Sequence, residues 1–338
     1  MDFMDTKQDI KKRTSFGDTP LFGAIDLGTN TCRLLIARCT QTPKGIQLSH
    51  VDSLSRVIRF GEQLEQTKKL SSHAMERAVM ALDECQKRLH FHDVHTFRCV
   101  ATAACRYATN TDELIQKTLS KTGIKIEVIN PEEESELAVS GCAELFDPSI
   151  PYAIVFDIGG GSTELVLVDI TGPGTFSIAA SISFPYGFAT LKDELKDEDT
   201  RRTIMQHVSS HMNEFAVQND IYAKMRDNQI QMIGASGTIT TLAAISMDLK
   251  AYDKSLVHEA RLSKLEIQKT MATIPKMSYN ARVNHACIGP QRADSITGGL
   301  ALFEAIYDIL SIEPVIAADR GVREGILYKL AQQQHQKM

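Results

Sequence analysis

Two stretches of this chain, far apart in sequence, carry one pattern, and that repeat restricts the possible folds more than any other feature. The more telling copy, Ala153 to Ile170, reads AIVFDIGGGSTELVLVDI, so an acid and three glycines lie between two apolar, β-branched runs. Such runs make strands, while Gly159, Gly160 and Gly161 permit positive φ and close backbone approach; the stretch predicts a β-hairpin with a turn open to a ligand. The turn offers several backbone N–H groups and the hydroxyls of Ser162 and Thr163, enough to cradle a phosphate. Asp157 and Glu164 stand at its two ends, where they could hold a divalent cation, directly or through water, against phosphate oxygens. A glycine run alone would favour a structural hairpin. The other copy, Ala24 to Ala37, AIDLGTNTCRLLIA, changes that balance. Aligning Asp26 with Asp157 puts Gly28 on Gly159, Thr31 on Ser162 and Arg33 on Glu164. The repeat implies two similar lobes, each presenting a phosphate-binding turn to a shared cleft. In the first lobe that turn is Gly28, Thr29, Asn30 and Thr31, with Asp26 matching the cation-holding Asp157.

A chain of 338 residues suits two domains with two cores. The contents of 43% apolar and 23% charged residues fit an ordinary soluble globular protein. Its seven cysteines include no C-x-x-C pair, which argues against a disulfide framework or zinc ribbon and for a reducing, cytoplasmic setting. No apolar run approaches the roughly 20 residues that span a bilayer, so no membrane association is expected. The first 20 residues lack the apolar core of a signal peptide and read as a flexible extension. With a net charge of -5 there is no basic character to advertise nucleic acid. A polyanionic ligand must instead meet a local cluster of arginines, backbone dipoles and metal.

Taken in order, the chain alternates strand and helix. A third strand is expected around Gln47 to Leu54, and an amphipathic helix over Leu70 to Leu89, started by Ser71 or Ser72 and burying Met75, Val79, Leu82, Cys85 and Leu89. His90, His92 and His95 read as a solvated loop rather than a metal site. After a strand at Thr96 to Ala101, Asn110 and Glu113 suggest a capping box for a helix ending at Gly123, followed by a strand at Ile124 to Ile129. In Asn130-Pro131-Glu132-Glu133-Glu134, Asn130 caps a helix, Pro131 takes its first position and Glu133 closes the box. Glu134 is then surplus to capping, and a carboxylate between two phosphate turns is where a hydrolase would want its general base. The prolines of Phe146 to Pro151 mark the domain boundary, giving a first domain over 21–150 and a second over 151–320, with a C-terminal helix at about 321–335 free to pack back on the first. A strand at Thr175 to Phe184 precedes a long helix from about Asp197 to Gln218, whose His207 and His211 read as an exposed face. GASGTITTLAAI places Gly234, Gly237 and Thr238 at a helix mouth suited to an anion. The fold class expected is α/β: mixed sheets flanked by helices, with sites at strand ends.

These motifs resemble the exopolyphosphatase and guanosine pentaphosphate phosphatase family, in its short two-domain form. AIDLGTNTCRLLIA, VATAACRYATN, PEEESELAVSG, FDIGGGSTEL, IGASGTITTLAAI, IGPQRADSITGG and DRGVREGIL occur in the family's order and cover residues 22 to 330. The resemblance implies two duplicated RNase H-like domains of the actin, Hsp70 and sugar-kinase superfamily, with the cleft between them. It implies magnesium-dependent hydrolysis of the terminal phosphoanhydride of inorganic polyphosphate, or of guanosine pentaphosphate, and allows a homodimer. By position Glu134 matches the base, and Asp157 and Glu164 match ligands of the metal and its water. The two turns match the phosphoryl sites and Arg106 an arginine at the cleft, with Arg33 and Arg98 adding charge. Many relatives have Ser-Gly where this chain has Asn130-Pro131, and arginines where it has Glu136 and Thr190. That loss of charge could shorten the preferred polyphosphate or favour a nucleotide. A kinase or ATP-driven actin-like protein would also use two phosphate hairpins, but lacks here an obvious aspartate for an alcohol acceptor. A non-catalytic polyphosphate or alarmone sensor would not need Glu134, Asp157 and Glu164 together.

Overall fold

The computed structural model describes residues 20–42, 45–191 and 198–335, so the extension expected over residues 1–20 lies outside the described residues save its last. The first hairpin forms as expected: β1 (Leu21–Leu27) and β2 (Thr31–Thr42) pair antiparallel, and β3 (Gly45–Val57) continues the meander. β4 (Thr96–Ala101) then lies parallel to β1, and β5 (Ile126–Val128) parallel to β4. The order across the sheet is β3-β2-β1-β4-β5. The second half repeats it. β6 (Tyr152–Ile158), β7 (Thr163–Gly172) and β8 (Thr175–Phe184) form the meander, β9 (Ile230–Gly234) runs parallel to β6, and β11 (Val315–Ala317) runs parallel to β9. Two-residue β10 (Arg261–Leu262) extends the edge, giving β8-β7-β6-β9-β11-β10. Two α/β sheets with one strand order are the two similar lobes that the paired hairpins predict, and the duplicated RNase H-like architecture that the resemblance implies.

The main helices are α1 (Ser72–Phe91), α2 (Ala103–Tyr107), α3 (Thr111–Thr122), α4 (Pro131–Cys142), α5 (Glu198–Gln218), α6 (Gly237–Ser246), α7 (Ile296–Ile309) and α8 (Val322–His335). α1 buries the expected stripe under an N-cap in which the Ser71 side chain accepts from the Ala74 amide. At α3 the expected capping box is absent. Asn110 instead spends its side-chain amide on the Leu70 backbone, accepting from its N–H at 2.8 Å and donating to its carbonyl at 3.0 Å. A long-range pair of bonds outcompetes the local cap. The histidines have other partners: His92 pairs with Asp52 and His95 with Asp93, while His211 Nδ1 lies against the His207 carbonyl.

α4 is the wedge of the molecule. Its Leu137 and Ala138 join Phe22, Ala24, Leu35 and Val100 in a core behind the first sheet, while Val139 and Cys142 join Val155, Val166 and Ile233 behind the second. One helix thus buries two faces, each leucine-sized side chain contributing about 1.5–3 kcal/mol. α8 completes the first of these cores with Val322, Ile326, Leu327 and Ala331. The N-terminus of α4 is thereby held between the two hairpin turns.

Candidate active site

The two turns are one structure built twice. The Gly28 amide donates to the Thr31 carbonyl at 3.0 Å, and the Gly159 amide to the Ser162 carbonyl at 2.9 Å. Across the strands Asp26 faces Arg33, and Asp157 faces Glu164. The turns also touch. A Cβ on Gly161 would overlap the Thr29 hydroxyl, one on Gly160 would stand 3.2 Å from the Asn30 amide nitrogen, and one on Gly187 would overlap the Gly159–Gly161 backbone from behind. Of the two freedoms expected of the three turn glycines, positive φ is not used and close backbone approach is. Phe188, Ala189 and Thr190 donate their amides to the Gly159 and Gly160 carbonyls at 2.9–3.2 Å. With its carbonyls tied back, the turn leaves the Gly160 and Gly161 amides bonded to no backbone carbonyl among the described residues.

A cleft of about 370 Å³ opens over both turns. It is lined by Asp26, Gly28, Thr29, Asn30, Thr31, Arg33, Glu134, Asp157, Gly159, Gly160, Gly161 and Ser162, so most of the residues singled out from sequence meet in one place. Thr163, Glu164 and Arg106 do not line it. Thr163 turns its hydroxyl to the Tyr186 carbonyl at 2.8 Å, which removes it from the phosphate turn. Glu164 is buried behind Asp157, accepting from the Ser183 hydroxyl at 3.1 Å. Arg106 stands behind Glu134, donating to its carboxylate at 2.6 Å and to the Ile129 carbonyl at 3.0 Å. Arg106 thus holds the candidate base and is not among the residues lining the cleft. Arg98 is also away from the cleft, bonded to Glu127 and Glu133. That pairing corrects the cap of α4: Asn130 accepts from the Glu133 amide as expected, but the Glu133 carboxylate goes to Arg98 rather than back to Asn130.

Sequence reasoning passed over part of the opposite wall. Of the helix mouth read from sequence, Gly237 and Thr238 line the cleft and Gly234 does not; Ser236, Arg292, Arg320 and Arg323 were not singled out, although PQR and DRGVREG stood among the motifs. Arg292 donates to the Gly237 carbonyl and the Thr241 hydroxyl and lies over the Tyr252 ring. Arg320 is held by Glu144 at 2.7 Å.

The electrostatics explain what the acids await. Burial pushes Glu134 up to about 8, with Glu164 adding to the shift and Arg106 opposing it. Burial raises Asp157 and Glu164 to about 7, helped by Glu134 on the first and Asp157 on the second. Asp26 is raised too, by burial, against the pull of Arg33 and Arg323. Several carboxylates that hinder one another's ionisation, all with oxygen donors, fit a hard divalent cation. Asp157 and Asp26 line the cleft and are the residues that would meet it, with Glu164 behind Asp157; the three carboxylates are not gathered within 4.8 Å of one another, so water would complete the cation's shell. Another acid–histidine group, Glu144, His258 and Glu259, lies outside the cleft lining. There the His258 Nδ1 accepts the Asp319 amide at 3.3 Å, which puts the ring proton on Nε2, 3.0 Å from Glu144. A nitrogen so protonated has no lone pair for a metal, and the other Glu144 oxygen takes Arg320, so this cluster is an ion-paired strut.

The chain is similar to known proteins over most of its length. Residues 36–334 match the model of the Ppx/GppA phosphatase family. Exopolyphosphatase 2 of Mycobacterium tuberculosis is 30% identical over 322 residues, covering 91% of this chain and 98% of the relative. The guanosine-5'-triphosphate,3'-diphosphate pyrophosphatase of Vibrio vulnificus is 29% identical over 93% of this chain but only 60% of its own length. The crystal structure of the Aquifex aeolicus member of the Ppx/GppA family superposes with a TM-score of 0.74 at 25% identity, covering 93% of this chain and 98% of that one. With the repeated turns, the shared strand order and this likeness in hand, the chain belongs to the Ppx/GppA phosphatase family.

Proposed function

We propose that this hydrolase is an exopolyphosphatase, releasing orthophosphate from the end of inorganic polyphosphate. The observation that carries the reading is the seat of Glu134: a largely buried carboxylate, 12% exposed, at the start of α4, oriented by Arg106, on the wall of a cleft floored by two phosphate turns. In it the turn amides and the Thr29 and Ser162 hydroxyls bind the terminal phosphoryl group, Glu134 takes a proton from the attacking water, and arginines of the opposite wall balance the remaining charge. Magnesium held by Asp157, Glu164 and Asp26 would neutralise charge on the phosphoryl oxygens. Phosphoryl transfer to water needs mainly positioning and charge balance, which these groups supply. Full-length likeness to an exopolyphosphatase supports polyphosphate as the substrate. Guanosine pentaphosphate is the second reading, favoured by Phe188, the one aromatic side chain among the described residues lining the cleft and a surface on which a base could stack.

The test is phosphate release with magnesium from long-chain polyphosphate, tripolyphosphate, guanosine pentaphosphate and ATP at matched terminal-phosphate concentration. Preference for polyphosphate is expected. Preference for guanosine pentaphosphate would install the second reading, and binding without release from any of the four would overturn the hydrolase.

A further inference from the structure

α8 crosses α4 backbone to backbone. A methyl group on Gly325 would overlap the Leu137 carbonyl oxygen, and one on Gly141 would overlap the Gly321 carbonyl oxygen. One such position on each helix sets their axial register, because neither can slide without bringing a side chain to a place that admits only hydrogen. The apolar contacts between Leu137 and Ile326 hold the pair together but would tolerate such a slide. Leu137 lies one turn beyond Glu134, and Arg323 lies two residues before Gly325. The crossing therefore fixes Arg323 relative to the candidate base.

Arg323 has a long ion pair to its neighbour Glu324 and a pull on Asp26, but no hydrogen bond among the described residues. Its side chain is 18% exposed, and Glu324 is 3.8 Å away. The other oxygen of Glu324 is already engaged, capping α8 through the Gly321 amide at 2.9 Å. Across the cleft wall Asp26 already faces Arg33. A largely buried guanidinium with five donors, paired to one acid at 3.8 Å, has donors to spare, and this one lines the cleft. A planar fork of that kind fits the oxygens of a phosphate chain better than a point charge would.

We propose that Arg323 binds the phosphate chain of the substrate, and that Gly141 and Gly325 are positioning residues that set its separation from Glu134. The proposal rests on the cleft being a phosphoanhydride site. Its test is calorimetric binding of sodium tripolyphosphate with magnesium, run beside steady-state phosphate release. Arg323→Gln is expected to weaken tripolyphosphate binding at least tenfold, with Arg323→Lys falling between it and the parent. Gly325→Ala is expected to lower kcat more than tenfold in a chain that is still folded. Ile326→Val, which loosens the same helix without touching the crossing, should lower Tm and leave kcat within a factor of two. Unchanged binding in Arg323→Gln, or no tripolyphosphate binding by the parent, would overturn the role of Arg323. A Gly325→Ala chain that loses Tm but keeps kcat, or that does not fold, would overturn the positioning role. If the parent binds tripolyphosphate but releases no phosphate, the exopolyphosphatase reading fails, while the Arg323 comparison is still decided by binding alone.

Discussion

Replacing Glu134 with glutamine should make the protein more stable and nearly inactive, two effects of opposite sign from one atom's change. Glutamine keeps the shape and an oxygen for the Arg106 guanidinium, now 2.6 Å from the carboxylate, so the local geometry survives. Arg106 also keeps its bond to the Ile129 carbonyl and the nearby charge of Glu164. What disappears is the ability to take a proton from water, a loss of ~10²–10⁴ in kcat, or about 3–5 kcal/mol of barrier. Stability moves the other way. A carboxylate raised from 4.5 to about 8 costs nothing while protonated below 4.5, and destabilises the fold progressively as pH rises from 4.5 toward 8. At pH 7 the cost approaches ~3 kcal/mol, a ceiling that a neutral amide removes. Calorimetric melting in EDTA at pH 5 and pH 8, with phosphate release at saturating tripolyphosphate, measures both. The Tm advantage of Glu134→Gln should be small at pH 5 and large at pH 8. Retention of more than a tenth of kcat, or a lower Tm than the parent at pH 8, would refute the reasoning that makes Glu134 a strained base.

Three further outcomes follow from the same geometry. Magnesium should raise Tm of the parent, by about 2.7 kcal/mol of stability at a hundredfold excess over its Kd, and Asp157→Asn should abolish that rise; a parent Tm indifferent to magnesium would remove the metal from these acids. Gly161→Ala, whose methyl meets the Thr29 hydroxyl, should raise KM at least tenfold by parting the turns, whereas Gly172→Ala, with nothing within 4 Å, should leave kinetics unchanged. Glu144 is held below its ordinary value because its bonds to His258 and Arg320 outweigh burial, so its stabilisation is present above about pH 4.5 and is lost as pH falls below it; Glu144→Gln should flatten the acid limb of the melting curve, and an unaltered limb would count against the strut.

The parts of this site written in local sequence were legible, and those made by distant pairings were not. Asp26, Asp157 and the glycines between strands declare a turn because strand composition and glycine act over a few residues. The shared strand order then follows from repeating one hairpin. Asn110 looked like a cap because caps are recognised locally, whereas its real partner, the Leu70 backbone, is forty residues away. Glu133 was read as closing a capping box for the same reason, although Arg98 from β4 competes for it more strongly as a charged donor. Thr163 has the composition of a phosphate ligand, but the alternation of β7 turns its hydroxyl to the Tyr186 carbonyl. Close backbone approach at 159–161 was foreseen, but at Gly160 and Gly161 the neighbour is the other lobe's turn, which no single-segment reading can supply.

The duplication also explains why the cleft has a direction. Both hairpins place an acid at the end of the first strand, yet the residue facing it differs: Arg33 opposite Asp26, Glu164 opposite Asp157. Two acid–acid pairs would leave the cleft too negative for a polyanion, and two acid–arginine pairs would leave nothing to hold a cation. On the proposed reading, one of each would make the second lobe the side that attracts metal and the first the side that tolerates phosphate. α4 wedges Glu134 between them, and α8 returns from the second lobe to add Arg323 beside Arg33. Exchanging Glu164 for arginine would therefore do more than delete a ligand. It would place a cation opposite Asp157 in a buried pair, so phosphate release should be lost and the response of Tm to magnesium should go with it. Persistence of that response in Glu164→Arg would mean that the metal belongs to the first lobe, and the assignment of the two sides would have to be reversed.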